Sequence, residues 1–288
     1  MDGEARAALL RTGNGIESLP ATELDKWLFL RLGADWLALV LHAVFIALGA
    51  GTAGFADAAE LQILVAMSAI TLAFHILYLT GITKTWAVFG RQIGPFTFGQ
   101  TDRNTLKWLE YSITATLGTV AVAYSNSCDP DYTPPPTPIV YFLIAVAVTE
   151  QTTGYTWDSI PNFKNPATDQ TQRATAVRAF ATTVLCQIGE FWVLSLYKSP
   201  RSPPWIVYVI GWSLFGFWAF LRNPPWTSRS LDVGANRVQL SELGYSLFST
   251  AAKIGLFAAI LYSRSDWDTC GAAATTTAAA TTTTAAAA

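Results

Sequence analysis

The chain has 288 residues, of which 51% are hydrophobic and 13% charged, with a formal net charge of −2. Soluble domains carry about 25% charged residues, so the composition excludes an ordinary soluble fold and is that of a membrane protein. The net charge offers nothing to nucleic acid, and the three cysteines have no metal-ligand spacing.

Taken in order, the chain reads as seven membrane spans of about 20 residues each. Residues 1–25 are polar, with no signal-peptide core, and Thr22-Glu23-Leu24-Asp25 after Pro20 is a helix start. The first span covers 27–49 and a short Gly/Ala turn leads to the second, 58–82. The connection TKTWAVFGRQIGPFTFGQTDRN precedes the third, 105–125. The proline-rich SNSCDPDYTPPPTP is a loop, and the fourth span follows at 139–156. After WDSIPNFKNPATDQ comes the fifth, 172–197, and after the tight KSPRSPP turn the sixth, 205–221. NPPWTSRSLDVGANR leads to the seventh, 239–262. The domain plan is therefore a cytoplasmic segment 1–25, a seven-helix bundle 26–264, and a flexible Ala/Thr-rich tail 265–288.

Basic residues near the span ends give an orientation. Arg6, Arg11, Lys26, Lys84, Arg91, Arg103, Lys107, Lys164, Arg173, Arg222, Arg229 and Arg237 fall on the N-terminal side; Lys198, Arg201 and Arg264 fall opposite. By the positive-inside rule the N-terminus is cytoplasmic and the C-terminus outside. That is the reverse of ordinary microbial rhodopsins and of G-protein-coupled receptors.

The seventh span, YSLFSTAAKIGLFAAILY, carries a single charge, Lys253. A central lysine costs roughly 2.5–3.5 kcal/mol on insertion scales. It needs an anion, a water-filled cavity, or a chemical use; condensation of its amine with an aldehyde is such a use. A purely structural ion pair is the plainer alternative. Glu110, in KWLEYSITATL of the third span, is the natural partner, because a nearby anion favours a protonated nitrogen. Ser249 precedes Lys253 by four residues and shares its helix face.

The inverted seven-span topology, WLEYSITATL and the SxxxK spacing together resemble a heliorhodopsin over about residues 26–264. The resemblance implies all-trans-retinal on Lys253 as a protonated Schiff base, Glu110 as its one carboxylate counterion, and Ser249 lining the linkage. Where pumps of the microbial rhodopsin type usually place an aspartate, this chain has Ser249. His42 and His75, the two histidines of the chain, fall in the first two spans, where heliorhodopsins carry a histidine each in a polar cavity that tunes the photocycle. Each is equally readable as a neutral ring satisfied by a neighbour.

Flat walls for a polyene are offered by Trp212 and Phe215 in the WxxFxxW run of the sixth span, and by Trp108 and Tyr111 flanking Glu110. Trp218, Phe191 and Trp192 are weaker choices. Glu150 and Glu190, in the fourth and fifth spans, are either protonated structural acids or stations of a proton path. The expected function is a photoreceptor, not an enzyme and without pumping, embedded in the bilayer as a homodimer and signalling to a cytoplasmic partner. The alternatives are a light-gated proton channel of the same fold, as some members conduct protons, and a retinal-free ion-coupled transporter. The first outside loop, GAGTAGFADAAE, is shorter than in heliorhodopsins and bears on dimer geometry. Cys128 and Cys270 both fall outside and could pair, whereas Cys186 lies within a span.

Overall fold

A computed structural model describes residues 21–52, 55–80, 86–88, 91–93, 105–125, 135–159, 170–197, 202–222 and 243–263. Seven helices account for nearly all of them. They are α1 (Ala21–Ala50), α2 (Ala59–Thr80), α3 (Thr105–Tyr124), α4 (Thr137–Ser159), α5 (Gln170–Tyr197), α6 (Pro203–Arg222) and α7 (Leu243–Ser263). Four of them, α1, α2, α5 and α7, are long and apolar enough to cross a membrane by length and composition. The molecule is a seven-helix membrane bundle. The termini and the connections holding Cys128 and Cys270 lie outside the described residues.

Local chemistry explains where the helices start and stop. Helix α1 begins at Ala21, six residues before the apolar run at Trp27, because the Thr-Glu-Leu-Asp start joins the same helix. At its far end Thr52 Oγ1 donates to the Leu48 carbonyl at 2.8 Å. A 3₁₀ turn, Phe55–Asp57, then leads to α2, and the Gln62 amide donates to the carbonyls of Phe55 and Ala56 at 3.2 and 2.7 Å. Helices α4 and α6 begin in proline-rich sequence, where a missing N–H costs nothing. The Pro136 and Ser202 carbonyls accept the first amides, from Ile139 at 2.8 Å and Ile206 at 3.1 Å. One feature is new relative to the seven spans. The connection before α3 holds a two-stranded antiparallel hairpin, β1 (Trp86–Val88) and β2 (Arg91–Ile93), with Trp86 opposite Ile93. Its aromatic and β-branched residues suit a strand.

Successive helices pack side by side, and α3 also touches α5 and α6. Helix α7 closes the bundle. Ser246 bonds Asp35 on α1, Lys253 reaches Thr71 on α2 and Glu110 on α3, and Phe257 meets Phe45 of α1 edge to face. On α6, Gly211 lies against Ala252; a Cβ at Gly211 would sit 2.9 Å from the Ala252 Cβ. Small residues let membrane helices approach closely, and close packing supplies the attraction that water exclusion supplies elsewhere. One apolar cluster runs through Leu64, Tyr208, Trp212, Leu256 and Phe257. A second gathers Trp108, Tyr111, Trp157 and Tyr245. The outer faces show Phe29, Trp36, Leu185 and Trp192, as lipid-facing surfaces do.

Candidate functional site: a buried lysine between two compartments

Lys253 is 3% exposed and its ammonium has two partners. It donates to Glu110 Oε1 in a close ion pair and to Thr71 Oγ1 at 3.1 Å. The other Glu110 oxygen, Oε2, accepts from the Tyr78 hydroxyl at 2.7 Å. Two charge-supporting donors thus hold the carboxylate, one of them the amine, and such bonds are about twice as strong as neutral ones. The Lys253 nitrogen also stands 5.3 Å from the centre of the Tyr111 ring.

Helical spacing brings these groups together. Thr71, His75 and Tyr78 recur at i, i+4 and i+7 on one face of α2, and Ser246, Ser249 and Lys253 recur at i, i+3 and i+7 on α7. On α3 the Thr114 hydroxyl turns back to the Glu110 carbonyl at 2.9 Å, and Ser112 and Thr116 also bond carbonyls four residues earlier. That habit lets a hydroxyl-rich helix lie in an apolar medium with its polar atoms satisfied.

The lysine stands at the border of two spaces. Beyond it, Tyr111, Trp212, Phe215, Gln151 and Ser249 line a largely apolar pocket that is open on one side. On the Glu110 side, a polar space is lined by Arg31, Asp35, His75, Tyr78, Lys107 and Ser246. Tyr111 and Ser249 face both. Pockets that hold small organic ligands have this build, apolar walls with a few placed polar groups.

Of the residues singled out in the sequence, Lys253, Glu110, Ser249, Tyr111, Trp212 and Phe215 therefore meet at one place. Trp108 does not line either space. Its ring lies over Gly154, where a Cβ would come within 2.8 Å, and it props Tyr111 and Tyr245 edge to face at 6.0 and 6.5 Å. Trp192 is 65% exposed on the outer face of α5, while its neighbour Phe191 packs on Tyr208 at 5.7 Å. Trp218 rests on Phe248 of α7 at 5.7 Å. Lys107, counted among the cytoplasmic-side basic residues, is buried, with its ammonium 3.6 Å from the centre of the Tyr245 ring.

Both histidines are buried beside the polar space, stacked with centroids 6.4 Å apart. His75 Nδ1 lies 3.2 Å from Asp35 Oδ1, which also accepts from Ser246 at 2.7 Å; Arg31 stands 3.6 Å from Asp35 Oδ2. Glu150 and Glu190 lie elsewhere, next to one another on α4 and α5. Glu190 is fully buried, bonded through Oε1 to Thr119 Oγ1, which meets the Tyr208 hydroxyl at 2.7 Å. Its Oε2 has no hydrogen-bond partner among the described residues. Tyr208 in turn lies on Trp212, centroids 4.6 Å apart, so this acid cluster touches the back of the pocket wall.

Asp35, Thr71, Tyr78 and Gln151 were not singled out in the sequence. Thr71 and Tyr78 had a signal, since they flank His75 at helical spacing. Asp35 had one too, lying two turns before His42. No protein-family model matches the chain, and no curated protein matches it either. Among solved structures, the chain is similar to a cyanorhodopsin from the cyanobacterium Calothrix sp. NIES-2098. The identity is 11% and the TM-score 0.47, over 82% of this chain and 88% of that one.

Proposed function

We propose that this protein is a heliorhodopsin-like photoreceptor that binds all-trans-retinal at Lys253, with Glu110 as the counter-anion. One observation carries the reading: a primary amine, paired with a carboxylate, at the mouth of an aromatic-walled pocket inside a seven-helix bundle. The pocket residues fit the group. Lys253 offers the nitrogen, Tyr111, Trp212 and Phe215 offer flat faces, and the Gln151 carbonyl oxygen is buried without a partner among the described residues. Bound through a Schiff base, retinal would supply visible absorption and a light-driven change of shape.

The chain's own residues supply the rest. Glu110 Oε1 holds a proton-bearing nitrogen at Lys253, and Thr71 accepts from the same nitrogen. The Tyr78 hydroxyl keeps the second Glu110 oxygen occupied, so the carboxylate cannot turn away without breaking a bond. When the nitrogen moves off Glu110, its proton loses its anion. His42 and His75, beside the polar space, are the candidate recipients, because imidazole exchanges protons in the useful range. In this reading the N-terminus is cytoplasmic, the protein works as a homodimer, and the shape change is read by a cytoplasmic partner rather than used for pumping.

Light-gated proton conduction is the second reading, favoured by the Glu150–Glu190–Thr119 cluster behind Trp212. The first test is a visible spectrum of the protein purified with all-trans-retinal, beside Lys253→Ala. The expected result is a visible band that the variant lacks. No band in folded protein would bring a retinal-free, ion-coupled transporter to the front. Light-evoked currents under voltage clamp then separate conduction from sensing.

A further inference from the structure

We infer that Asp35 is a positioning residue that makes His75, and not His42, the group that receives the proton lost from the Lys253 nitrogen. The choice of recipient rests on the photoreceptor reading; the state of His75 that underlies it does not.

The two rings are alike in burial and differ in what holds them. His42 is fully buried, and among the described residues neither ring nitrogen has a hydrogen-bond partner. None of the described residues fixes its tautomer or sets an anion against it. His75 is 2% exposed, and its Nδ1 lies 3.2 Å from Asp35 Oδ1. Asp35 also accepts from Ser246 Oγ at 2.7 Å and faces the Arg31 guanidinium at 3.6 Å. An ionised carboxylate can only accept. The proton of neutral His75 is therefore on Nδ1, and the lone pair is on Nε2, turned away from Asp35. The rings that meet His75 are the Tyr78 phenol, 5.4 Å away between centroids, and His42, 6.4 Å away. Tyr78 also bonds Glu110, so the base lies one side chain beyond the counter-anion.

A buried imidazole that takes up a proton becomes a buried cation, and an isolated buried cation is costly. Asp35 offsets that cost for His75; His42 has no such partner. In serine hydrolases a buried aspartate orients and stabilises a histidine in the same two ways. The balance of the step is simple: Lys253 loses one proton, His75 Nε2 gains it, and Asp35 remains a carboxylate throughout.

Two measurements on full-length protein decide the matter. The first is ¹⁵N NMR of the imidazoles in the dark, without retinal, with His75→Gln to assign the signals. The expected wild-type ring carries its proton on Nδ1, and Asp35→Asn removes that preference while Asp35→Glu retains it. A wild-type His75 protonated on Nε2, or one indifferent to Asp35→Asn, overturns the dyad. The second is flash photolysis of the retinal-loaded protein. Asp35→Asn and His75→Gln should each slow proton loss from Lys253 about tenfold or more, and His42→Gln should not. Slowing confined to His42→Gln overturns the choice of recipient. Absence of any visible band would fail the photoreceptor reading while the dark spectra still judge the Asp35–His75 dyad.

Discussion

Two of the buried carboxylate sites in this bundle, Glu110 and Glu190, solve one problem in opposite ways. Glu110 is held by a cation and a phenol, with both oxygens engaged. Glu190 has a threonine on one oxygen, no hydrogen-bond partner among the described residues on the other, and a second acid beside it. None of the described groups acting on Glu150 and Glu190 is a cation; they are Thr119, Tyr208 and each other. A carboxylate pair without a cation in an apolar medium cannot keep both charges, so protons must take the place of lysine. One site is arranged to hold charge and the other to hold a proton.

The largest expected effect comes from removing that asymmetry. Lys253→Ala leaves Glu110 without its cation, making it resemble Glu190. It should abolish the visible band entirely and cost about 3–5 kcal/mol of stability, read by thermal unfolding in detergent. A variant as stable as the wild type would show that the ion pair contributes little to the fold. Glu110→Gln strands the cation instead and should bleach the visible band at neutral pH. An unchanged spectrum would remove Glu110 from the counter-anion role.

Smaller changes sharpen the contrast. Tyr78→Phe deletes one bond to a charged oxygen and should cost about 1.5–3 kcal/mol, with a shifted rather than lost band. Glu190→Gln keeps a donor and an acceptor for Thr119 and should cost under about 1 kcal/mol, because no ion pair is broken. A loss as large as that of Glu110→Gln would mean that Glu190 holds a charge after all. On the conduction reading the same variant should still reduce light-evoked currents, separating function from stability.

Much of this was readable in the chain before any coordinates. The seven spans follow from the lengths of apolar runs between proline-rich breaks, and the ends agree to within a few residues, apart from the start of α1. Lys253 and Glu110 could be named because a charge inside an apolar span is conspicuous, and Ser249 because it lies one turn before Lys253. The Asp35–His75–Ser246 contact could not, because its members come from three helices and periodicity speaks only within one. Tyr208 was hidden for a different reason. A phenol in a membrane span looks like any interfacial aromatic until its hydroxyl is placed on a carboxylate or a threonine. Trp108 shows the limit of closeness in sequence: two residues before Glu110, it lies about 200° around the helix, with its ring over Gly154 of α4.

The meeting of Gly211 with Ala252 has a mechanical consequence. Trp212 follows the glycine and Lys253 follows the alanine, so α6 and α7 touch next to where the pocket wall and the amine are mounted. Only the Ala252 methyl stands between the two backbones there. A displacement of Lys253 should therefore be passed to α6 directly through this contact.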